Sequence, residues 1–178
     1  MDSFDLKLQN PRGYSRKDPR WSFKLNHYGR RYMVMRNGYG KACEIWGGYS
    51  PKIYDGHFIE MIARQLERAI GGTNIIADQY FNYGNQVLRN VKIYSNIPVP
   101  STEVQEGVEF EGDAAYRLTK EQVSYNTAHK RLRARVEGGF GAFYKLFSLI
   151  AKPWGERAKQ LDYLVIIGMG VINAQKSV

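Results

Sequence analysis

Polarity alternates from the start of the chain. In DSFDLKL, Asp2, Phe4, Leu6 and Leu8 fall on one face of an extended segment and Ser3, Asp5 and Lys7 on the other. The pattern predicts a strand whose apolar face also carries Asp2. Two further β-rich runs, SFKLNHYGRRYMVMRNG (22 to 38) and KACEIWGGYS (41 to 50), are separated by Asn37-Gly38 and Gly40, which predicts a hairpin. After Pro51 the period changes. Phe58, Ile59, Ile62, Leu66 and Ile70 recur at helical spacing, with Asp55 placed as an N-cap and Gly71 as the stop. A fourth strand, 74 to 78, is predicted to pair parallel to an earlier one. A long helix then begins at Leu118-Thr119, where Thr119 and Gln122 form a capping-box pair, and Gly138, Gly139 and Gly141 are expected to weaken or kink it. The apolar run LDYLVIIGMGVINA, 161 to 174, reads as a buried helix too short to span a bilayer.

Two carboxylates interrupt these patterns. Asp78 ends the buried-looking IIADQYF stretch, where an aspartate commonly caps the turn that follows a strand. Glu137 sits beside the stripe formed by Leu132, Val136, Phe140, Phe143, Tyr144 and Phe147, just after Lys130, Arg131, Arg133 and Arg135. At about 100° per residue, Lys130 and Arg133 lie within roughly 40° of Glu137. A helical i,i+4 salt bridge from Arg133 to Glu137 accounts for that acid. The alternative is a carboxylate held near a surface that attracts phosphate.

Composition narrows the choice. The 178 residues are 43% hydrophobic and 13% aromatic, which suits one domain, 1–178, with a real core. Lys and Arg number 26 against 17 Asp and Glu, a net charge of +9 that favours a polyanionic partner, nucleic acid above all. Residues 101 to 116 carry five acids and no base and read as an exposed acidic loop insertion. The remainder then has 26 basic against 12 acidic residues, a net charge of +14. No secretory signal opens the chain, so an intracellular location is expected, nuclear in a eukaryote. The lone Cys43, read as lying in an apolar setting, forms no internal disulfide or cysteine zinc site, and His27, His57 and His129 lack ligand spacing. Any metal would take oxygen ligands.

A carboxylate on the first strand, one at the end of the fourth and one on a late helix resemble the pattern of the RNase H-like fold. That is an α/β mixed sheet of three antiparallel strands plus parallel strands, flanked by helices. The motifs narrow the resemblance. MDSFDLKL resembles the DGTDF start of the DDE catalytic domain in Harbinger-like and related cut-and-paste transposases. WSFKLNHYGRRYMVMRNGYGKACEIWGGYSPKIYD looks like the family's strand pair and the turn that opens its first helix. IIADQYF is similar to its ADxGY segment, LTKEQVSYNTAHKRLRARVEGGFGAFYKLF to its N…R…E helix, and VIIGMGVINAQ to its closing helix. The likeness runs in order along nearly the whole chain.

This resemblance implies that Asp2, Asp78 and Glu137 are catalytic acids holding a divalent metal, Mg²⁺ or Mn²⁺. In that fold the first and fourth strands lie side by side, bringing Asp2 and Asp78 together. Asp55 matches a recurrent aspartate, and Lys24, Lys130, Arg133 and Arg135 are the expected contacts to the DNA backbone. The implied reaction is phosphodiester hydrolysis followed by strand transfer on transposon ends and target DNA. Ser3 replaces the family's glycine, Gln79-Tyr80 replaces its glycine-aromatic step, and the first strand is expected to be truncated at its N-terminal side. These departures carry a second expectation: a catalytically silent remnant acting as a DNA-binding or protein-interaction module. Site recognition by a separate DNA-binding protein, and an oligomer, fit either reading.

Overall fold

The computed structural model describes residues 1–9, 15–97, 118–146 and 158–175. The predicted acidic loop, 101 to 116, lies outside them. Within them the fold is mixed α/β. Strands β1 (Asp2–Lys7), β2 (Trp21–Ser22), β3 (His27–Arg36) and β4 (Ala42–Tyr49) form an antiparallel sheet in which β3 pairs with each of the other three. Helix α1 (Asp55–Ile70) follows. Then come β5 (Ile75–Ile76), a 3₁₀ turn (Gln79–Phe81), a short helix α2 (Gly84–Val87), β6 (Ile93–Tyr94), and the helices α3 (Lys120–Leu146) and α4 (Ala158–Gln175).

The sheet is central because β3 is apolar on both faces. Met33, Met35 and Trp46 pack against Phe58, Ile59, Ile62 and Leu66 of α1, the helical stripe that the sequence predicts. Phe4, Leu6, Tyr32 and Val34 pack the other way, against Phe143 of α3 and Leu161, Val165, Met169 and Ile172 of α4. Burying each such large side chain contributes about 1.5–3 kcal/mol. The register sets Asp2 opposite Val34 and Phe4 opposite Tyr32, so Asp2 shares the apolar face turned to α3, as the alternation requires. The polar face of β1 is not solvent-facing: Ser3 and Asp5 are buried. Cross-strand pairing sets Asp5 opposite Arg31, and this charge pair lets the second face close. Where β4 bulges against β3, Gly48 takes φ +79° and a Cβ on Gly47 would fall 2.8 Å from Tyr32 Cα. A larger residue at 47 would therefore separate the two strands.

Several expectations are corrected. The segment predicted as the fourth strand is β5, which pairs parallel with the later β6; beside β1, the Met1 amino nitrogen donates to Ile76 O at 2.7 Å. Asp55 does not cap α1, where Tyr54 stands at the N-cap; its carboxylate accepts from Ser3 Oγ at 2.7 Å. The lone Cys43 is exposed. Helix α4 is buried on one face only, with Tyr163, Ile166, Ile167 and Val171 exposed.

Helix α3 starts on the predicted capping box, Gln122 N donating to Thr119 Oγ1 at 3.3 Å and Thr119 N to Gln122 Oε1 at 2.9 Å. It runs through Gly138, Gly139 and Gly141 without a break. Buried Phe143, with Phe140 and Tyr144 packed beside it, offsets the helical cost of glycine, about 1 kcal/mol each relative to alanine. A Cβ at Gly141 would meet nothing within 4 Å. Gly141→Ala is therefore expected to stabilise the chain by about 0.5–1 kcal/mol in urea denaturation, and a loss of stability would contradict this packing.

Candidate active site

Three elements deliver a carboxylate to one place. Asp2 opens β1 on the face turned to α3. Asp78 follows β5 and begins the 3₁₀ turn, its Oδ1 accepting from Tyr80 N at 3.4 Å. Glu137 stands on α3 one turn beyond Arg133. His129 fixes α3 against the β5–β6 pair: its buried ring has Nε2 3.0 Å from Ala77 O and 3.3 Å from Tyr94 O. One protonated nitrogen serves both carbonyls. Asn126 extends the seam, accepting from Ile97 N at 2.8 Å and donating to Ile97 O at 2.9 Å. Residues 126, 129, 133 and 137 thus share one side of the helix, the side on which Arg133 meets Asp78.

At the centre lies the Arg133 guanidinium. Its Nη1 donates to Asp78 Oδ2 at 2.7 Å, and its Nη2 pairs with Glu137 Oε1 and stands 3.9 Å from Asp2 Oδ2. The local reading of each acid holds: Asp78 caps a turn and Glu137 makes the i,i+4 bridge. All three acids nonetheless face one cation. Among the described residues no three His, Cys, Asp or Glu groups stand close enough to hold a metal ion as they are placed; Asp2, Asp78 and Glu137 each face the Arg133 guanidinium.

Burial pushes the Asp2 carboxyl above its ordinary range, although the Ser3 N–H bond and the charges of Arg133 and Lys24 act against that shift. A raised folded-state value means that the ionised carboxylate costs stability above it. In the metal-free protein Asp2→Asn should therefore stabilise at neutral pH. The gain should fade as the pH falls toward the unfolded value near 4, where aspartate is protonated in both states. Chemical denaturation of both proteins at pH 7 and pH 4 measures this, and an asparagine variant destabilised at pH 7 would contradict it.

The cluster opens into a cleft of ≈ 490 Å³ lined by Asp78, Gln79, Tyr80, Asn96, His129, Lys130, Arg133 and Glu137, among others. Of the basic residues predicted to meet DNA, Lys130 faces this cleft. Lys24, exposed, donates from Nζ to Ser3 Oγ at 3.2 Å, next to Asp2. Arg133 is turned into the acids. Arg135 is not part of the cleft; its Nη1 donates to Gly38 O at 3.0 Å on the β3–β4 turn.

Sequence reasoning missed a supporting network. Arg31 donates to Asp5 through Nε at 2.8 Å and Nη2 at 3.1 Å, to Ile53 O at 2.5 Å, and stands 3.6 Å from Asp55. Ser22 Oγ donates to the same Asp5 at 2.6 Å and accepts from Leu25 N at 3.1 Å, which anchors the turn that presents Lys24. Asp55 meets Ser3, the neighbour of Asp2, and Arg31. An acid on the supposedly wet face of β1 is the signal that could have found this network.

The family model for DDE superfamily endonucleases matches residues 1–173. No curated protein and no solved structure matches the chain.

Proposed function

The chain belongs to the DDE superfamily endonuclease family, and we propose that it is a divalent-metal-dependent DNA endonuclease of the transposase kind, with Asp2, Asp78 and Glu137 as the metal-holding acids. The supporting observation is their convergence, from β1, the end of β5 and α3, on a single guanidinium. Family membership implies DNA as substrate. The finer reading extends this to strand transfer and to an RNase H-like arrangement of the sheet, with β5 running beside the start of β1.

The donor set suits the implied metal. It consists of carboxylate oxygens alone, which hard Mg²⁺ or Mn²⁺ prefers, and among the described residues it already gathers around a positive charge. The chemistry supplied by such ions is activation of the attacking oxygen and stabilisation of the leaving one in an in-line displacement. The chain's own residues do the rest. Lys130 draws a phosphate into the cleft. The capped turn holds Asp78 in place, His129 sets the distance from β5 to α3, and the Asp5–Ser22 anchor keeps Lys24 beside Asp2.

Nicking of supercoiled plasmid in Mg²⁺, Mn²⁺ and EDTA tests the reading. Metal-dependent nicking that EDTA abolishes is the expected result, and its absence from folded protein would overturn it. One observation favours a second reading, a catalytically silent DNA-binding module: the acids are already satisfied by Arg133. That reading requires salt-sensitive, sequence-neutral DNA binding without nicking.

A further inference from the structure

Arg133 lines the cleft beside Lys130, yet its guanidinium is turned to the acids. Its guanidinium is held by carboxylates alone, and its Nε is buried without a hydrogen-bond partner among the described residues. The three acids it faces differ in hold: a close pair with Asp78, a close pair with Glu137, and a looser approach to Asp2 at 3.9 Å. A divalent ion ligated by Asp78 and Glu137 would sit against the guanidinium, which takes Asp78 Oδ2 and Glu137 Oε1. Two cations cannot share them without strong repulsion.

We propose that Arg133 is the resident cation of the metal-free site, that divalent metal binding displaces its guanidinium, and that the displaced side chain is then presented to a DNA phosphate in the cleft beside Lys130. The inference rests on the metal-site reading above. It gives one residue two successive roles. In the metal-free chain Arg133 keeps three like charges gathered. In the loaded chain it adds a phosphate contact only when the metal is in place. An arginine suits both, since its planar fork pairs with carboxylate and phosphate alike.

Mn²⁺ binding by calorimetry to the wild-type chain, Arg133→Gln and Asp78→Asn tests the first step. If the guanidinium fills the site nine-tenths of the time, removing it should tighten Mn²⁺ binding roughly tenfold, while Asp78→Asn weakens it. Wild-type binding that Asp78→Asn weakens and Arg133→Gln leaves unchanged or reduces would overturn this inference and spare the metal site. No binding by any of the three folded proteins would overturn both. The wild-type chain gives an answer even if Arg133→Gln does not fold. The Arg133 Nε–Hε resonance should shift on saturation with Mg²⁺, and a resonance that stays in place at saturation would overturn displacement. For the second step, the salt dependence of duplex DNA binding in Ca²⁺ should be steeper for wild type than for Arg133→Gln by about 0.9, one phosphate's share. In EDTA the two slopes should agree, and equal slopes in Ca²⁺ would overturn the phosphate role.

Discussion

Asp78→Asn is expected to reduce Mg²⁺-dependent nicking by about 10²-fold or more while leaving DNA binding in EDTA intact. The substitution keeps shape and hydrogen-bonding capacity but removes one negative donor. Loss of an outer-sphere partner already costs about 10–100-fold in metal affinity or activity, so loss of a ligand should cost at least as much. The turn should survive, because asparagine caps as well as aspartate and the Tyr80 N–H keeps an acceptor. Binding to DNA should persist or strengthen as the net charge rises from +9. A variant that unfolds would make Asp78 a strand-end cap and nothing more. A folded variant that nicks at the wild-type rate would remove it from the site.

The largest effect on stability is expected beneath β1. The Asp5 and Arg31 side chains are 1% and 7% exposed and are joined by two hydrogen bonds. Removing one partner strands a buried charge, which costs about 3–5 kcal/mol. Arg31→Met should therefore destabilise the chain by that amount in urea, and Asp5→Leu combined with Arg31→Met should recover much of it. The single variant should also loosen the turn held by Ser22, so Lys24 would lose its place beside Ser3. A loss below about 1 kcal/mol for the single variant would show that the pair is not what closes the second face of the sheet.

Local patterns carried part of this fold legibly. Alternation in DSFDLKL placed Asp2 on the face turned to α3, the spacing from Phe58 to Leu66 gave α1, and Thr119 with Gln122 marked where α3 begins. Other features depend on partners distant in sequence. Asp5 is polar by pattern and buried by register, because its neighbour across the sheet is Arg31. Strands β5 and β6 have two residues each, too few to show a period, so their pairing could not be read from the sequence. Helix α4 is apolar all round, and its pattern cannot say that only the Leu161–Val165–Met169 side finds the sheet.

The candidate site divides in the same way. Its three acids stood out because each broke a local pattern. Among Lys130, Arg131, Arg133 and Arg135, helical spacing marks Arg133 as the i,i+4 partner of Glu137, but it does not say that the same guanidinium also meets Asp78 and approaches Asp2. That meeting depends on the seam at His129 and Asn126, which sets how far α3 is turned over β5. Arg133 was expected at the DNA backbone; its partners in the structure are Asp78 and Glu137.

Asp2, Asp78 and Glu137 are proposed to share a divalent ion. Anomalous scattering from crystals soaked in Mn²⁺ tests it most directly. A peak is expected between these side chains, within about 2.0–2.6 Å of carboxylate oxygens from at least Asp78 and Glu137, with the Arg133 guanidinium moved off them. Mn²⁺-saturated crystals with no peak there, and with Arg133 still paired to Asp78, would contradict it.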